Sequence, residues 1–218
     1  MAGPFGHGMR DLWSLEAGAV YLNHGTVGVT PNDVMAAQWA IKQRIEAHPA
    51  RFMLRDLKPE LRAAADRLAE MLGGRGEDYA FTDNATTGVN AVLRSVELGP
   101  GDEVLVTDHT YGAVANAARY ACERAGATLV TAHIPFPISD NAAAMTAVEG
   151  AADLAFVEDS CHALGGMQTT SGGTPAPVGC CADSAMTVFS LHPVKVVAMG
   201  EGGAITTNDS LLNDRIRR

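Results

Sequence analysis

From Tyr79 onward, short apolar runs alternate with longer stretches of helical period, and this alternation limits the fold more than any other feature of the chain. Tyr79-Ala80-Phe81, Glu103 to Thr107, Thr128 to Ala132, Ala155 to Glu158, Met186 to Ser190 and Ala204 to Thr207 read as strands. Asn84 to Arg94, Tyr111 to Ala125 and Ala142 to Gly150 read as helices, with Gly99-Pro100-Gly101-Asp102 as a turn and Gly126 as a stop. Short strands separated by helices predict an α/β domain built on a largely parallel sheet. In such sheets ligands collect beyond the carboxyl ends of the strands.

The region before Tyr79 has a different rhythm. Residues 1–30 are loop-like and rich in Gly and Thr. Thr30-Pro31 predicts a helix start, with Thr30 as N-cap and Pro31 in the first turn. Pro49 divides the helical region that follows. The second helix, from about Pro59 to Leu72, places Leu61, Ala64, Leu68 and Met71 on one face and stops at Gly73-Gly74.

Composition excludes several function classes. The 218 residues include 25 acidic and 16 basic side chains, a net charge of −9. This argues against a nucleic-acid binder that works by neutralising phosphates. No apolar run approaches the roughly 18 residues of a membrane span, so no membrane association is expected. The N-terminus lacks a basic stretch leading into an apolar core, so no secretory signal is read and the cytoplasm is the expected location. Cys122, Cys161, Cys180 and Cys181 include no CxxC spacing. They read as reduced thiols rather than metal ligands or a disulfide framework.

Three segments carry potential chemistry. Asp83-Asn84-Ala85-Thr86-Thr87-Gly88 lies between a strand and a helix, where small residues, hydroxyls and free amides suit an anion such as phosphate. An ordinary capped helix, with Asn84 or Thr86 as the cap, is the competing reading. Val157-Glu158-Asp159-Ser160-Cys161-His162 puts a carboxylate at a strand end with an imidazole three residues on. Phe189-Ser190-Leu191-His192-Pro193-Val194-Lys195 brings a lysine close to another strand end; Lys42 and Lys58 are the only other lysines in the chain. A desolvated lysine loses proton affinity and can form a Schiff base, whereas a surface lysine merely snorkels. Gly6-His7-Gly8 follows no strand, and neither GxxxxGK[ST] nor GxSxG occurs.

Taken together and in this order, the three segments resemble the pyridoxal-phosphate enzymes of fold type I. Residues 20–138 resemble the class V aminotransferases near isopenicillin N epimerase. The resemblance rests on Tyr21-Leu-Asn-His-Gly-Thr-Val-Gly28, Asn84-Ala-Thr-Thr-Gly-Val-Asn90 and Gly101-Asp-Glu-Val-Leu-Val-Thr-Asp-His-Thr-Tyr-Gly-Ala113. Residues 154–218 resemble the DegT/DnrJ/EryC1/StrS sugar aminotransferases, through the Val157–Gly165 and Phe189–Lys195 segments and Gly200-Glu-Gly-Gly-Ala-Ile-Thr-Thr-Asn-Asp209. That family usually has Phe where Leu191 stands.

The resemblance implies an aspartate-aminotransferase-like large domain, a three-layer αβα fold with a mainly parallel sheet, spanning residues 31–218 after an N-terminal arm. It implies pyridoxal 5'-phosphate as cofactor. Lys195 would bind it covalently and shuttle the proton. Asp159 would keep the pyridine nitrogen protonated, and His162 would stand near the phenolic oxygen. Ala85, Thr86 and Ser190 would hold the phosphate. Tyr111, or else His109, would stack on the ring, and Asn23 to Thr26 would line the substrate side.

The implied reaction is amino transfer, with an amino-acid donor and a keto-sugar nucleotide acceptor, in a homodimer. The class V half points instead to epimerisation or C–S cleavage of amino acids. Two departures bear on this. Only 18 residues separate Pro137 from Phe156, where both families carry a further strand–helix unit. The small C-terminal domain of these families is also missing. A fusion of two related genes, a fragment or a catalytically silent remnant is therefore the rival expectation.

Overall fold

The structure of the chain, a computed structural model, describes residues 6–23, 27–137, 156–192, 195 and 201–217. The helix expected over Ala142 to Gly150 lies outside these residues. No helix among them is long and apolar enough to cross a membrane.

After a 3₁₀ turn at Gly6–Leu12 come the helices α1 (Asn32–Ala47), α2 (Pro49–Arg51) and α3 (Leu57–Leu72). A π turn at Phe52–Asp56 links the last two. The core then alternates: β1 (Tyr79–Thr82), α4 (Ala85–Ser95), β2 (Glu103–Thr107), α5 (Gly112–Ala125), β3 (Thr128–Ala132) and β4 (Val157–Asp159). A hairpin of β5 (Met167–Thr169) and β6 (Pro175–Pro177) follows, then β7 (Met186–Ser190), β8 (Gly203–Thr206) and α6 (Ser210–Ile216).

Four strands form the main sheet in the order β1-β8-β7-β4. β4 runs parallel to β7, while β8 runs against both β1 and β7. β2 and β3 pair in parallel as a separate ribbon. Every residue of β7 and β8 is buried. Burial on both faces lets apolar side chains point both ways from β7, Met186 and Val188 to one face and Phe189 to the other, with Thr187 and Ser190 buried among them.

The side chains of those strands divide between two cores. Phe189 and Ala204 join Tyr79 in packing against Ala65, Ala69 and Leu72 of α3. Met186, Val188 and Ile205 face the other way, onto Val89 and Val92 of α4, with Leu212 and Ile216 of α6 alongside. Helices thus cover both faces of the sheet, the three-layer αβα arrangement expected from the sequence. Gly88 allows the close approach of α4: a Cβ there would stand 2.9 Å from Val188 Cγ1.

Three local expectations are corrected. Thr30 does not cap α1; Pro31 is the N-cap, with φ −59° and ψ 148°, and no side chain bonds the first turn. The break falls at His48, next to the expected Pro49, and α3 begins at Leu57 rather than about Pro59, with the His48 side chain accepting from the amide of Arg51 in the short α2 between them. The buried face of α3 is Ala65, Ala69 and Leu72, with Leu68 partly buried. Leu61, Ala64 and Met71 are exposed instead. The β5–β6 hairpin was not anticipated at all.

Candidate active site

β1, β7 and β4 run in the same direction, so Thr82, Ser190 and Asp159 finish at one end of the sheet. The chain leaves each of these strands into one of the three segments singled out by sequence.

After β1, Asn84 caps α4: its side chain accepts from the amide of Thr87 at 2.9 Å. The Gly88 amide donates to the Asn84 carbonyl at 3.0 Å. The amides of Ala85 and Thr86 are left with no partner among the described residues, at the positive end of an 11-residue helix. Because Asn84 is the cap, the Thr86 hydroxyl is not used as one. Gly203 brings this helix end to the strand ends. A Cβ on Gly203 would stand 2.6 Å from Thr82 Oγ1, 2.9 Å from the Phe189 carbonyl oxygen and 3.0 Å from the Asn84 carbonyl carbon. Gly203 also pairs with Ser190, so the α4 N-terminus and the end of β7 meet across a single residue.

After β4, Ser160 extends the ladder by one rung, its amide donating to the Val188 carbonyl at 2.9 Å. The chain then turns, with the Ala163 amide donating to the Ser160 carbonyl at 3.0 Å. That turn folds Cys161 back over Asp159, and the Cys161 amide donates to Asp159 Oδ1 at 3.3 Å. Asp159 and His162 are exposed, whereas Cys161 is buried. Burial, followed by the contact with Asp159, pushes the Cys161 thiol up to about 12, against the opposing pull of the Lys195 charge.

After β7, the Leu191 amide still reaches the Gly202 carbonyl at 2.7 Å. The His192 amide donates to Ser190 Oγ at 3.3 Å, and the Lys195 amide to the His192 carbonyl at 3.0 Å. His192 Nε2 lies 3.3 Å from Glu201 Oε1. Lys195 is half-buried, and its Nζ lies 3.2 Å from Nε2 of His162.

Asp159, His162, Lys195, Ser190 and the Ala85–Thr86 turn therefore share one end of the main sheet. His109 and Tyr111 lie beyond β2, in the separate ribbon. The carboxylate of Asp108 binds the ring of His133 and accepts from the Ile134 amide at 3.0 Å. Its Oδ1 lies 3.8 Å from His109 Nε2, and the His109 ring packs edge-on against Phe136 at 6.1 Å. The Ile134 amide and then His133 hold Asp108 below the usual carboxylate range. Tyr111 is 68% exposed, and no hydrogen bond among the described residues joins either ring to the Lys195 group. Asn23 accepts from the Val27 amide at 3.0 Å; residues 24–26 lie outside the described residues. Cys161, read from the sequence as a reduced thiol, is a free buried cysteine.

Known proteins match both halves of the chain. Residues 20–145 match the class-V aminotransferase family, and residues 127–218 match the DegT/DnrJ/EryC1/StrS aminotransferase family. A putative L-cysteine desulfhydrase of Oryza sativa subsp. japonica is 31% identical over 148 residues, covering 64% of this chain and 31% of that protein. Isopenicillin N epimerase of Amycolatopsis lactamdurans is 38% identical over 104 residues, 47% of this chain and 26% of that protein. GDP-perosamine synthase of Caulobacter vibrioides is 31% identical over 162 residues, 62% of this chain and 41% of that protein.

Among solved structures, the cystine C–S lyase C-DES in complex with cysteine persulfide superposes with a TM-score of 0.68 at 18% identity, covering 89% of this chain and 58% of that one. DesV of Streptomyces venezuelae superposes with a TM-score of 0.54 at 25% identity, covering 85% and 55%. The chain spans less than half the length of each of these three curated relatives.

The fold is that of the fold-type-I pyridoxal-phosphate proteins. More narrowly, the chain belongs to the class-V aminotransferase family, a pyridoxal-phosphate-dependent family, and its C-terminal part is similar to the DegT/DnrJ/EryC1/StrS aminotransferases. Its own residues fit that cofactor. An amine, an imidazole and a carboxylate converge at the sheet end, beside a helix N-terminus with two unpartnered amides suited to a phosphate.

Proposed function

We propose that residues 31–218 form the cofactor-binding large domain of an aminotransferase that moves an amino group from an amino acid to a keto-sugar nucleotide. The observation that carries the reading is the 3.2 Å approach of Lys195 Nζ to His162 Nε2, at the sheet end that also bears Asp159. When bound, the cofactor supplies a carbonyl that carries the amino group and a ring that takes up electrons. The chain's own residues do the rest. Lys195 anchors the cofactor through Nζ and afterwards carries the substrate proton on that atom. The His162 ring fixes where that amine points and faces the phenolic side of the cofactor. The Asp159 carboxylate holds a proton on the pyridine nitrogen. The amides of Ala85 and Thr86 bind the phosphate with the hydroxyls of Thr86 and Ser190, and Tyr111 or His109 covers the ring. A homodimer is part of this reading. α1, which buries none of its residues and leaves Trp39 59% exposed, offers apolar surface for it.

The likeness of the first half to cysteine desulfhydrases and isopenicillin N epimerase favours a second reading, in which the same residues cleave or epimerise an amino acid. The two are separated by loading the protein with pyridoxal phosphate and adding glutamate or cysteine. Stoichiometric release of 2-oxoglutarate supports transfer. Pyruvate and sulfide from cysteine, with no reaction of glutamate, overturns transfer in favour of the lyase. A loaded, folded protein inert to every donor overturns both and leaves a cofactor-binding remnant.

A further inference from the structure

His109 and Tyr111, the two rings offered above to cover the cofactor, stand on the β2–β3 ribbon, which shares no strand pairing with the main sheet among the described residues. Their place over the site therefore depends on how the turn after β2 is held. Tyr111 does not hold it: the side chain is 68% exposed and makes no cap for α5. Asp108 does. Its amide donates to the Ala132 carbonyl at 3.0 Å, one step beyond the last rung of the ribbon. Its carboxylate then reaches the end of β3, where Oδ1 accepts from the Ile134 amide at 3.0 Å and Oδ2 meets Nδ1 of His133. Oδ1 also lies 3.8 Å from His109 Nε2, and Phe136 packs edge-on against the same His109 ring. Thr110 closes the turn from within. Its hydroxyl accepts from the Thr107 amide at 3.0 Å, and its amide donates to the Thr107 carbonyl at 3.1 Å.

We propose that Asp108 is a positioning residue that clamps the turn after β2 to the end of β3, so that the rings of His109 and Tyr111 meet the cofactor already ordered. The inference rests on the reading that one of those rings covers the cofactor. A ring held before binding spares the cofactor the cost of ordering it, which raises affinity without a new contact. The Ile134 amide, and then His133, favour the ionised form of Asp108, so both oxygens remain acceptors at neutral pH.

Two measurements test the clamp and its use separately. The first needs no cofactor. In the free protein, hydrogen exchange of the Ile134 amide is followed by nuclear magnetic resonance. Asp108→Ala removes the acceptor and is expected to speed exchange about tenfold, whereas Asp108→Asn keeps an oxygen there and stays within about threefold of the parent. An unchanged rate in the alanine variant overturns the clamp. The second is the dissociation constant for pyridoxal phosphate, read as a double-mutant cycle. Asp108→Ala is expected to weaken binding about three- to tenfold in the parent. In a protein carrying both His109→Ala and Tyr111→Ala it is expected to cost nothing further. A merely structural role gives the same loss in both backgrounds; that result, or no loss in the parent, overturns the positioning role. If the variant lacking both rings binds as tightly as the parent, the reading that they cover the cofactor fails and the positioning role with it, while faster Ile134 exchange in Asp108→Ala still establishes the clamp as a contact.

Discussion

Lys195 Nζ stands 3.2 Å from Nε2 of His162, although the two residues are 33 positions apart and belong to loops after different strands. The pairing exists because β4 and β7 are parallel neighbours, so their carboxyl ends deliver both loops to one place. A half-buried amine beside an imidazole is suited to attack a carbonyl, since the ring can accept a proton that the nucleophile must lose. Borohydride treatment of the cofactor-loaded protein is therefore expected to fix a stable adduct on Lys195, visible by intact-mass and peptide analysis. Lys195→Ala should carry no adduct. An adduct on Lys42 or Lys58 in that variant would move the anchor elsewhere.

The approach of Gly203 to Thr82 and Asn84 sets up the second prediction. A Cβ at Gly203 would meet the Phe189 carbonyl oxygen at 2.9 Å and the Asn84 carbonyl carbon at 3.0 Å, both backbone atoms that cannot rotate away. Gly203→Ala is expected to cost about 1–3 kcal/mol through overpacking. It should also weaken cofactor binding, because the displaced residues are the ones preceding the unpartnered amides. Gly112→Ala is the control, since a Cβ there meets nothing within 4 Å. Urea midpoints for the two variants decide it; equal midpoints would mean that the contact at Gly203 relaxes freely.

Much of this architecture can be read without coordinates, for a reason particular to β7 and β8. A strand covered on both faces carries apolar side chains on both, so Met186, Val188 and Phe189 break strict alternation and mark this segment in the sequence. The strand-end residues Asp159 and Lys195 follow from that pattern and their order in the chain. The β5–β6 hairpin does not. Its strands are three residues each, one of them Pro-Ala-Pro, and Ser171 bonded to Asp183 helps to hold it rather than apolar alternation. The contact of the Cys161 amide with Asp159 is equally hidden, because a turn makes it.

The face of α3 was misjudged for another reason, and a third prediction follows from it. Leu61, Leu68 and Met71 carry the strong hydropathic signal, but the helix lies close against Phe189 and Tyr79 through Ala65 and Ala69, which carry little. Leu72 is fully buried and Leu61 is 40% exposed. Leu72→Ala should cost about 2–5 kcal/mol, as for other buried leucines. Leu61→Ala should cost under about 1 kcal/mol. Thermal or urea unfolding of the pair checks the assignment, and reversed costs would restore the face read from sequence.

Tyr79 gives the last prediction, a dependence of stability on pH. Its side chain is 1% exposed and its hydroxyl donates to the Gly73 carbonyl at 2.5 Å. Burial, with Cys181 close by, raises its pKa from 10.0 to about 12. The folded state therefore holds the phenol proton that the unfolded chain releases near pH 10. The stabilisation is complete below the unfolded value and is lost as pH rises through the interval from 10 to about 12. At neutral pH, Tyr79→Phe should lose about 1 kcal/mol, the net worth of a hydrogen bond. Above pH 10 its stability should fall less steeply than that of the parent, because no phenol remains to ionise on unfolding. Urea titrations of both proteins between pH 8 and 11, at roughly half-unit steps, would show the curves converging. Parallel curves would mean that Tyr79 ionises equally in both states and that its burial does not protect the proton.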